Sequence, residues 1–109
     1  MKKRRTISAS KFVLGTANFN IKYGLNNKKS FFKKNTIFKI LKILRKNKIF
    51  YLDTARTYKE TEKILGKFNL KNFKIITKIK NIGTKNNIYN NLENDVLKSI
   101  ANLNIKSLY

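Results

Sequence analysis

Short runs of consecutive apolar residues recur along the chain, and each complete run is followed by small or polar residues. The complete runs lie at 12–14, 49–52 and 73–76, and a fourth begins at Ser107 near the end of the chain. Strands that are buried on both faces of a parallel sheet are apolar at successive positions. The runs therefore predict three strands and the beginning of a fourth.

Amphipathic patterns occupy the stretches between these runs. Apolar residues spaced three and four apart predict helices with one buried side over 37–44 and 88–103. A shorter helix is predicted over 60–68, with Glu60 and Glu62 in its first turn, where the helix dipole favours negative charge. Successive strand starts are 37, 24 and 34 residues apart, which is typical of strand–helix–strand units with right-handed crossovers. The predicted fold class is α/β with parallel strands.

The net charge of the chain is extreme for its size. Its 109 residues include 26 Lys+Arg against 5 Asp+Glu, a net charge of +21, which suggests nucleic acid or another anionic surface as partner. Coding bias is the competing explanation, because Lys, Asn and Ile have A- and T-rich codons and supply 52 of the 109 residues. Only 4 of the 26 cations are Arg, the residue that nucleic-acid-binding proteins more often use. Non-specific adhesion to polyanions at low salt is expected under either explanation.

The residue types that are missing exclude several kinds of site. The chain has no His and no Cys, so the usual zinc, haem and iron–sulfur ligands, disulfides and thiol or imidazole catalysis are ruled out, and we expect no metal site. The longest apolar runs are too short to span a membrane. The basic start of the chain is not followed by an apolar stretch of signal-peptide length, so we expect a cytoplasmic protein without membrane contact.

Polar side chains gather where the predicted strands end. Gly15 and Thr16 follow the first run, Asp53 closes the second and Lys78 follows the third. This edge of a parallel α/β sheet or barrel carries the active site, and a carboxylate beside an ammonium keeps both groups charged. Tyr58 lies on the loop after Asp53, where a nearby ammonium would stabilise its phenolate and make it a candidate general acid.

Each of these residues also has an ordinary structural interpretation. Asp53 could cap a turn, Lys78 is one of 22 lysines, and Tyr58 could simply pack against the sheet. The combination is more specific than its parts, because an Asp, a Tyr five positions later and a Lys after the next strand occur together.

Five segments in order along the chain carry the motifs of one family. They are Leu-Gly-Thr-Ala at 14–17, Tyr-Gly-Leu-Asn-Asn at 23–27, Leu-Asp-Thr-Ala-Arg-Thr-Tyr at 52–58, Glu-Lys-Ile-Leu-Gly-Lys-Phe at 62–68 and Ile-Ile-Thr-Lys at 75–78. The third resembles the Asp-Thr-Ala-x-x-Tyr signature of the aldo/keto reductases, and the fourth resembles the Glu-x-x-Leu-Gly that follows it. The chain therefore resembles the N-terminal part of an aldo/keto reductase.

This resemblance implies a fold and a chemistry. The family fold is the (β/α)₈ TIM barrel, of which residues 1–109 would form about three and a half units, truncated in the fourth strand. The family reduces aldehydes and ketones with NADPH. By resemblance, Tyr58 would donate a proton to the carbonyl oxygen, Lys78 would support Tyr58, and Asp53 would hold Lys78. Thr16 and Asp53 would lie near the nicotinamide end of NADP(H).

The chain departs from the family pattern in three ways. It has no His, although the family uses one at the end of the fourth strand, and the family residues that hold the cofactor phosphates come mainly from the last strands. Lys59 also follows Tyr58 where the family has Gly. We therefore expect a chain that is inactive alone and does not bind NADP(H) tightly, with a missing C-terminal half. The alternatives are a small basic nucleic-acid-binding protein and a non-catalytic half-barrel that assembles with a partner chain.

Overall fold

The computed structural model describes residues 8–19, 33–58, 60–80 and 87–109. Within these ranges three strands form one sheet in the order β1 (Val13–Gly15), β2 (Tyr51–Asp53) and β3 (Lys74–Ile76). Both neighbouring pairs are parallel. The α/β fold class and the parallel strand direction predicted from the apolar runs are confirmed.

Helices connect the strands, as the amphipathic patterns predicted. They are α1 (Lys34–Lys46), between β1 and β2, α2 (Thr61–Leu65), between β2 and β3, and α3 (Ile88–Leu103), after β3; a short 3₁₀ turn at Ala9–Lys11 precedes β1. The second helix is shorter than predicted. Its last turn tightens, because the amides of Lys67 and Phe68 bond to carbonyls three residues back.

The two faces of the sheet have different surroundings. Leu52 and Ile75 are paired in register and buried beneath the helices, where they pack with Ile37, Leu41, Leu44, Leu65, Leu70 and Leu103. Adjacent side chains of a strand point to opposite faces. Tyr51, Asp53 and Lys74 therefore lie on the other face, which no helix covers within the described residues.

Helices α2 and α3 approach each other closely at a glycine. A Cβ added to Gly66 would lie 2.0 Å from the backbone oxygen of Asn102, far inside van der Waals contact. Only a residue without a side chain permits this approach. Gly66 therefore sets how near α2 lies to the C-terminal half of α3.

The fourth apolar run continues the sheet only through its last residue. The Tyr109 amide donates to the carbonyl oxygen of Ile75 at 2.9 Å, although 104–109 has no regular strand. The N-terminal half of α3 is less buried than its apolar spacing suggested, since Ile88 is 50% and Leu92 37% exposed. No helix among the described residues is long and apolar enough to cross a membrane.

Candidate active site

The predicted carboxylate and ammonium meet at the ends of two adjacent parallel strands. Asp53 is the last residue of β2, and Lys78 follows β3 by two residues. The Lys78 Nζ lies 2.7 Å from both Oδ1 and Oδ2 of Asp53, so the ammonium bridges the carboxylate. The side chains keep 50% and 35% of their surface exposed, which leaves both groups reachable from solvent.

Tyr58 returns to this pair because the loop after β2 is tightly turned. Its amide donates to the Ala55 carbonyl at 3.0 Å, and its own carbonyl accepts from the Thr61 amide at 2.9 Å. The Lys78 Nζ lies 5.5 Å from the centre of the Tyr58 ring, within the range of a cation–π contact. The structure therefore brings Asp53, Tyr58 and Lys78 together at one edge of the sheet.

Thr16, directly after the neighbouring strand β1, holds the backbone of Asp53. It has no exposed surface. Its amide and its hydroxyl both donate to the Asp53 carbonyl oxygen, at 2.9 and 3.0 Å. In this structure Thr16 holds the backbone of Asp53 in place, while a contact between Thr16 and a cofactor stays a prediction.

A buried carboxylate lies beneath the exposed pair. Glu62 is 2% exposed and accepts from Arg56 Nη1 at 3.0 Å and from the Thr77 hydroxyl at 2.8 Å. A longer contact of 3.5 Å joins its Oε2 to the side-chain amide of Asn102 on α3. Buried charges persist when they are paired and hydrogen-bonded. We call Glu62 and these three partners the Glu62 cluster.

The Glu62 cluster ties together the loops that carry the exposed groups. Arg56 lies between Asp53 and Tyr58 in the chain, and its amide donates to the Lys78 carbonyl oxygen at 2.9 Å. Thr77 immediately precedes Lys78. The carboxylate of Glu62 therefore anchors both loops to α2 at once.

Asp95 extends this support from α3. Its Oδ1 lies 3.6 Å from Arg56 Nε, an ionic contact too long for a hydrogen bond. Its Oδ2 accepts from the Lys80 amide at 3.2 Å. Asp95 therefore adds charge compensation for Arg56 and restrains the loop after β3.

Sequence reasoning placed Glu62 in a helix first turn and in the Glu-x-x-Leu-Gly motif, but it missed the burial of this side chain. One signal was available, because Glu62 precedes the apolar Leu65 by three positions and so shares its helix face. The partners had no such signal, since Arg56, Thr77 and Asn102 meet only when two loops and two helices pack together.

A second polar group lies at the opposite end of the same sheet face. The rings of Tyr51 and Tyr109 meet edge to face with centres 5.3 Å apart, and the Lys74 ammonium lies 3.2 Å from the Tyr51 hydroxyl. Hydrogen bonds from Tyr109 and then Lys74 lower the pKa of Tyr51. The same hydrogen bonds to Tyr51 raise the pKa of Tyr109 and the pKa of Lys74.

Comparison with known proteins places this fold. No protein-family model and no curated protein matches the chain. Two solved structures from Pseudomonas aeruginosa match the chain, and each is provisionally assigned as an aldo-keto reductase. One superposes with a TM-score of 0.72 at 21% identity, over 88% of this chain and 39% of its own. The other has a TM-score of 0.69 at 19% identity, over 88% and 38%.

The likeness confirms the partial barrel expected from the sequence. At this level of identity it establishes the fold alone, which is that of part of an aldo-keto reductase (β/α)₈ barrel. This chain spans about two fifths of the length of the solved structures that it matches.

Proposed function

We propose that this chain is the N-terminal part of an NADPH-dependent carbonyl reductase that acts on small aldehydes or ketones in the cytoplasm. The observation that carries the proposal is the convergence of Asp53, Tyr58 and Lys78 at the carboxyl ends of parallel strands. That edge is where barrels of this type hold their active sites.

Each residue has a defined part in the proposed reaction. The Tyr58 hydroxyl donates a proton to the oxygen of the substrate carbonyl. The Lys78 ammonium faces the Tyr58 ring and stabilises the negative charge left on the phenol, and Asp53 holds that ammonium in place through both oxygens. NADPH, when bound, supplies the hydride that reduces the carbonyl carbon.

The described residues leave open space where one end of this cofactor would lie in the proposal. Gly15 is paired with Asp53 in the sheet, and a Cβ at Gly15 would meet nothing within 4 Å. The resulting open space lies on the face that carries the Asp53 side chain, where a flat nicotinamide ring has room. Asp53 and Gly15, with Thr16 behind them, would hold that end, and the cofactor phosphates need residues from elsewhere in a complete barrel.

A barrel of three and a half units leaves open edges, so we expect the chain alone to be marginally stable and catalytically silent. Its reductase role is therefore tested in a chimera. The chimera is the first of the two Pseudomonas aeruginosa proteins, with this chain in place of the 39% of its length that matches. Oxidation of NADPH in the presence of a panel of aldehydes is followed by absorbance.

We expect turnover from the chimera, and a loss of about 100-fold or more in Tyr58→Phe, because general acid catalysis contributes roughly this factor. Tyr89→Phe is the matched control, since Tyr89 is a 75% exposed tyrosine on α3. A folded, active chimera that is unaffected by Tyr58→Phe would contradict the proposal. Turnover by the chain alone would contradict only its expected silence.

A further inference from the structure

Acidic and basic residues are segregated along this chain. All five acidic residues lie between Asp53 and Asp95, and residues 1–52 contain none. Four of the five acids form ion pairs within the described residues, and three of those four lie around the strand ends of the candidate active site. The positive charge is therefore left without compensation mainly in the N-terminal half.

Helix α1 presents this charge on one side. Ile37, Leu41 and Leu44 face the core. The exposed positions include four lysines, which form no ion pair among the described residues: Lys34, Lys39, Lys42 and Lys46. We call these four lysines together with Phe38 the α1 face.

Some lysines of the α1 face are unfavourably placed in their own helix. Lys34 lies in the first turn, where the helix dipole disfavours a cation. Lys42 and Lys46 are four positions apart, a spacing at which like charges repel. A bound polyanion would relieve both repulsions.

An exposed aromatic ring lies among these lysines. Phe38 is 54% exposed, whereas Ile37, Leu41 and Leu44 of the same helix are buried in the core. It borders an open cavity of about 550 Å³ that lies between α1 and the segment after α2. The other lining residues are Lys34, Asn35, Lys67, Phe68 and Asn69.

This combination matches the chemistry of single-stranded nucleic acid. Ammonium groups bind backbone phosphates, aromatic rings stack on unpaired bases, and side-chain amides offer donors and acceptors. The exposed ring favours a single strand over a duplex, because the bases of a duplex are already stacked. Lysine in place of arginine favours phosphate contact without reading of base sequence.

We propose that the α1 face binds single-stranded nucleic acid, with the lysines on phosphates and Phe38 under a base. The binding is independent of base sequence. It uses the side of the molecule formed by α1, separate from Asp53 and Lys78, so it does not depend on the proposed reductase activity.

The test compares two variants of equal charge by fluorescence anisotropy of a labelled oligouridylate of about twelve nucleotides. The face variant replaces Lys34, Lys39, Lys42 and Lys46 with Gln. The control variant replaces four exposed lysines elsewhere with Gln, namely Lys11, Lys80, Lys98 and Lys106. Each variant removes four positive charges and so lowers the net charge from +21 to +17.

We expect the face variant to lose affinity at least tenfold and the control variant to lose much less. The slope of log affinity against log salt should fall in magnitude by about 3 in the face variant, since each phosphate contact on a single strand contributes about 0.7. Equal losses in the two variants would overturn the proposal, because binding would then follow net charge alone. Circular dichroism of both variants establishes that the fold is retained.

Phe38 tests the single-strand assignment. Phe38→Ala should weaken oligouridylate binding about fivefold or more with an unchanged salt slope, because stacking is lost and charge is not. Phe38→Tyr keeps a ring and should retain the affinity. Unchanged binding by Phe38→Ala, or tighter binding to a duplex of equal length, would overturn the assignment to single strands.

Discussion

The two ends of the open sheet face carry similar residues in different surroundings. At the carboxyl ends of the strands Lys78 binds Asp53 and faces Tyr58, and at the amino ends Lys74 lies against Tyr51 and Tyr109. Both ends therefore place an ammonium beside phenols. Within the part of the chain that the structure describes, only the first end has a carboxylate in contact with its ammonium and a buried network beneath it.

The difference shows what distinguishes a candidate site from a polar surface group. Lys74 and its tyrosines touch one another, and they contact no buried charge among the residues that the structure describes. The loops of Lys78 and Tyr58 are joined through Arg56 and Thr77 to the buried Glu62. Positioning within a fraction of an ångström is what catalysis requires, and the Glu62 cluster is a means of providing it.

Removal of the buried carboxylate should have the largest effect on stability. We expect Glu62→Ala to lower the free energy of unfolding by about 3 kcal/mol, because it leaves the Arg56 guanidinium largely buried without its partner. Urea denaturation of the chimera, in which the barrel is complete, measures the change. The control is Glu93→Ala, an exposed acid on α3, with an expected change below about 0.5 kcal/mol. Equal effects of the two variants would mean that the Glu62 cluster does not support this end of the sheet.

The close approach of α2 and α3 should be the next most sensitive feature. Gly66→Ala places a methyl group against the Asn102 backbone, which cannot move aside as a side chain can. We expect a loss of about 2 kcal/mol from this overpacking, measured in the same urea experiment. A neutral Gly66→Ala would show that α2, and Glu62 with it, has room to shift.

The exposed ion pair should matter far less for stability than for chemistry. We expect Lys78→Met to lower the free energy of unfolding by less than about 1 kcal/mol, because half-exposed pairs are screened by solvent. The small effect should shrink further in high salt. In the chimera the same change should abolish turnover, while Lys74→Met should not. Loss of activity with Lys74→Met would show that the two ends are not functionally distinct.

The smallest effect concerns alkaline pH at the amino ends of the strands. The pKa of Tyr51 is lowered, so we expect it to form tyrosinate before Tyr109, whose pKa is raised. The near-ultraviolet absorbance of tyrosinate follows both steps. Tyr51→Phe should remove the earlier one, and Lys74→Met should move it to higher pH. An early step that survives Tyr51→Phe would contradict the assignment.

These pKa shifts also fix how stability changes with pH. The lowered pKa of Tyr51 stabilises the folded state above the unfolded pKa of about 10. This contribution is lost as the pH falls through the folded pKa of Tyr51. Lys74 and Tyr109 have raised pKa values. These two groups stabilise the folded state below their unfolded pKa values, and the contribution is lost as the pH rises through their folded pKa values. The opposed signs explain why the net effect is expected to be small.

The amino-acid sequence by itself determined three parallel strands, the order of the helices along the chain and the placement of Asp53 and Lys78 at the strand ends. Periodicity reports which side of an element is buried, and parallel strands bring their carboxyl ends to one edge. These inferences need only local spacing and one rule of topology. They predict Lys78 beside Asp53 on the condition that β2 and β3 are neighbours, which the structure shows, with a contact of 2.7 Å.

Only the tertiary structure decided the surroundings of these groups. The burial of Glu62, its bond to Thr77 and its contact with Asn102 join residues that are 15 and 40 positions apart. The hydroxyl of Thr16 bonds the Asp53 backbone across 37 positions. Contacts of this kind leave no periodic trace in the sequence, because they depend on how loops and helices pack and not on the pattern within any one element.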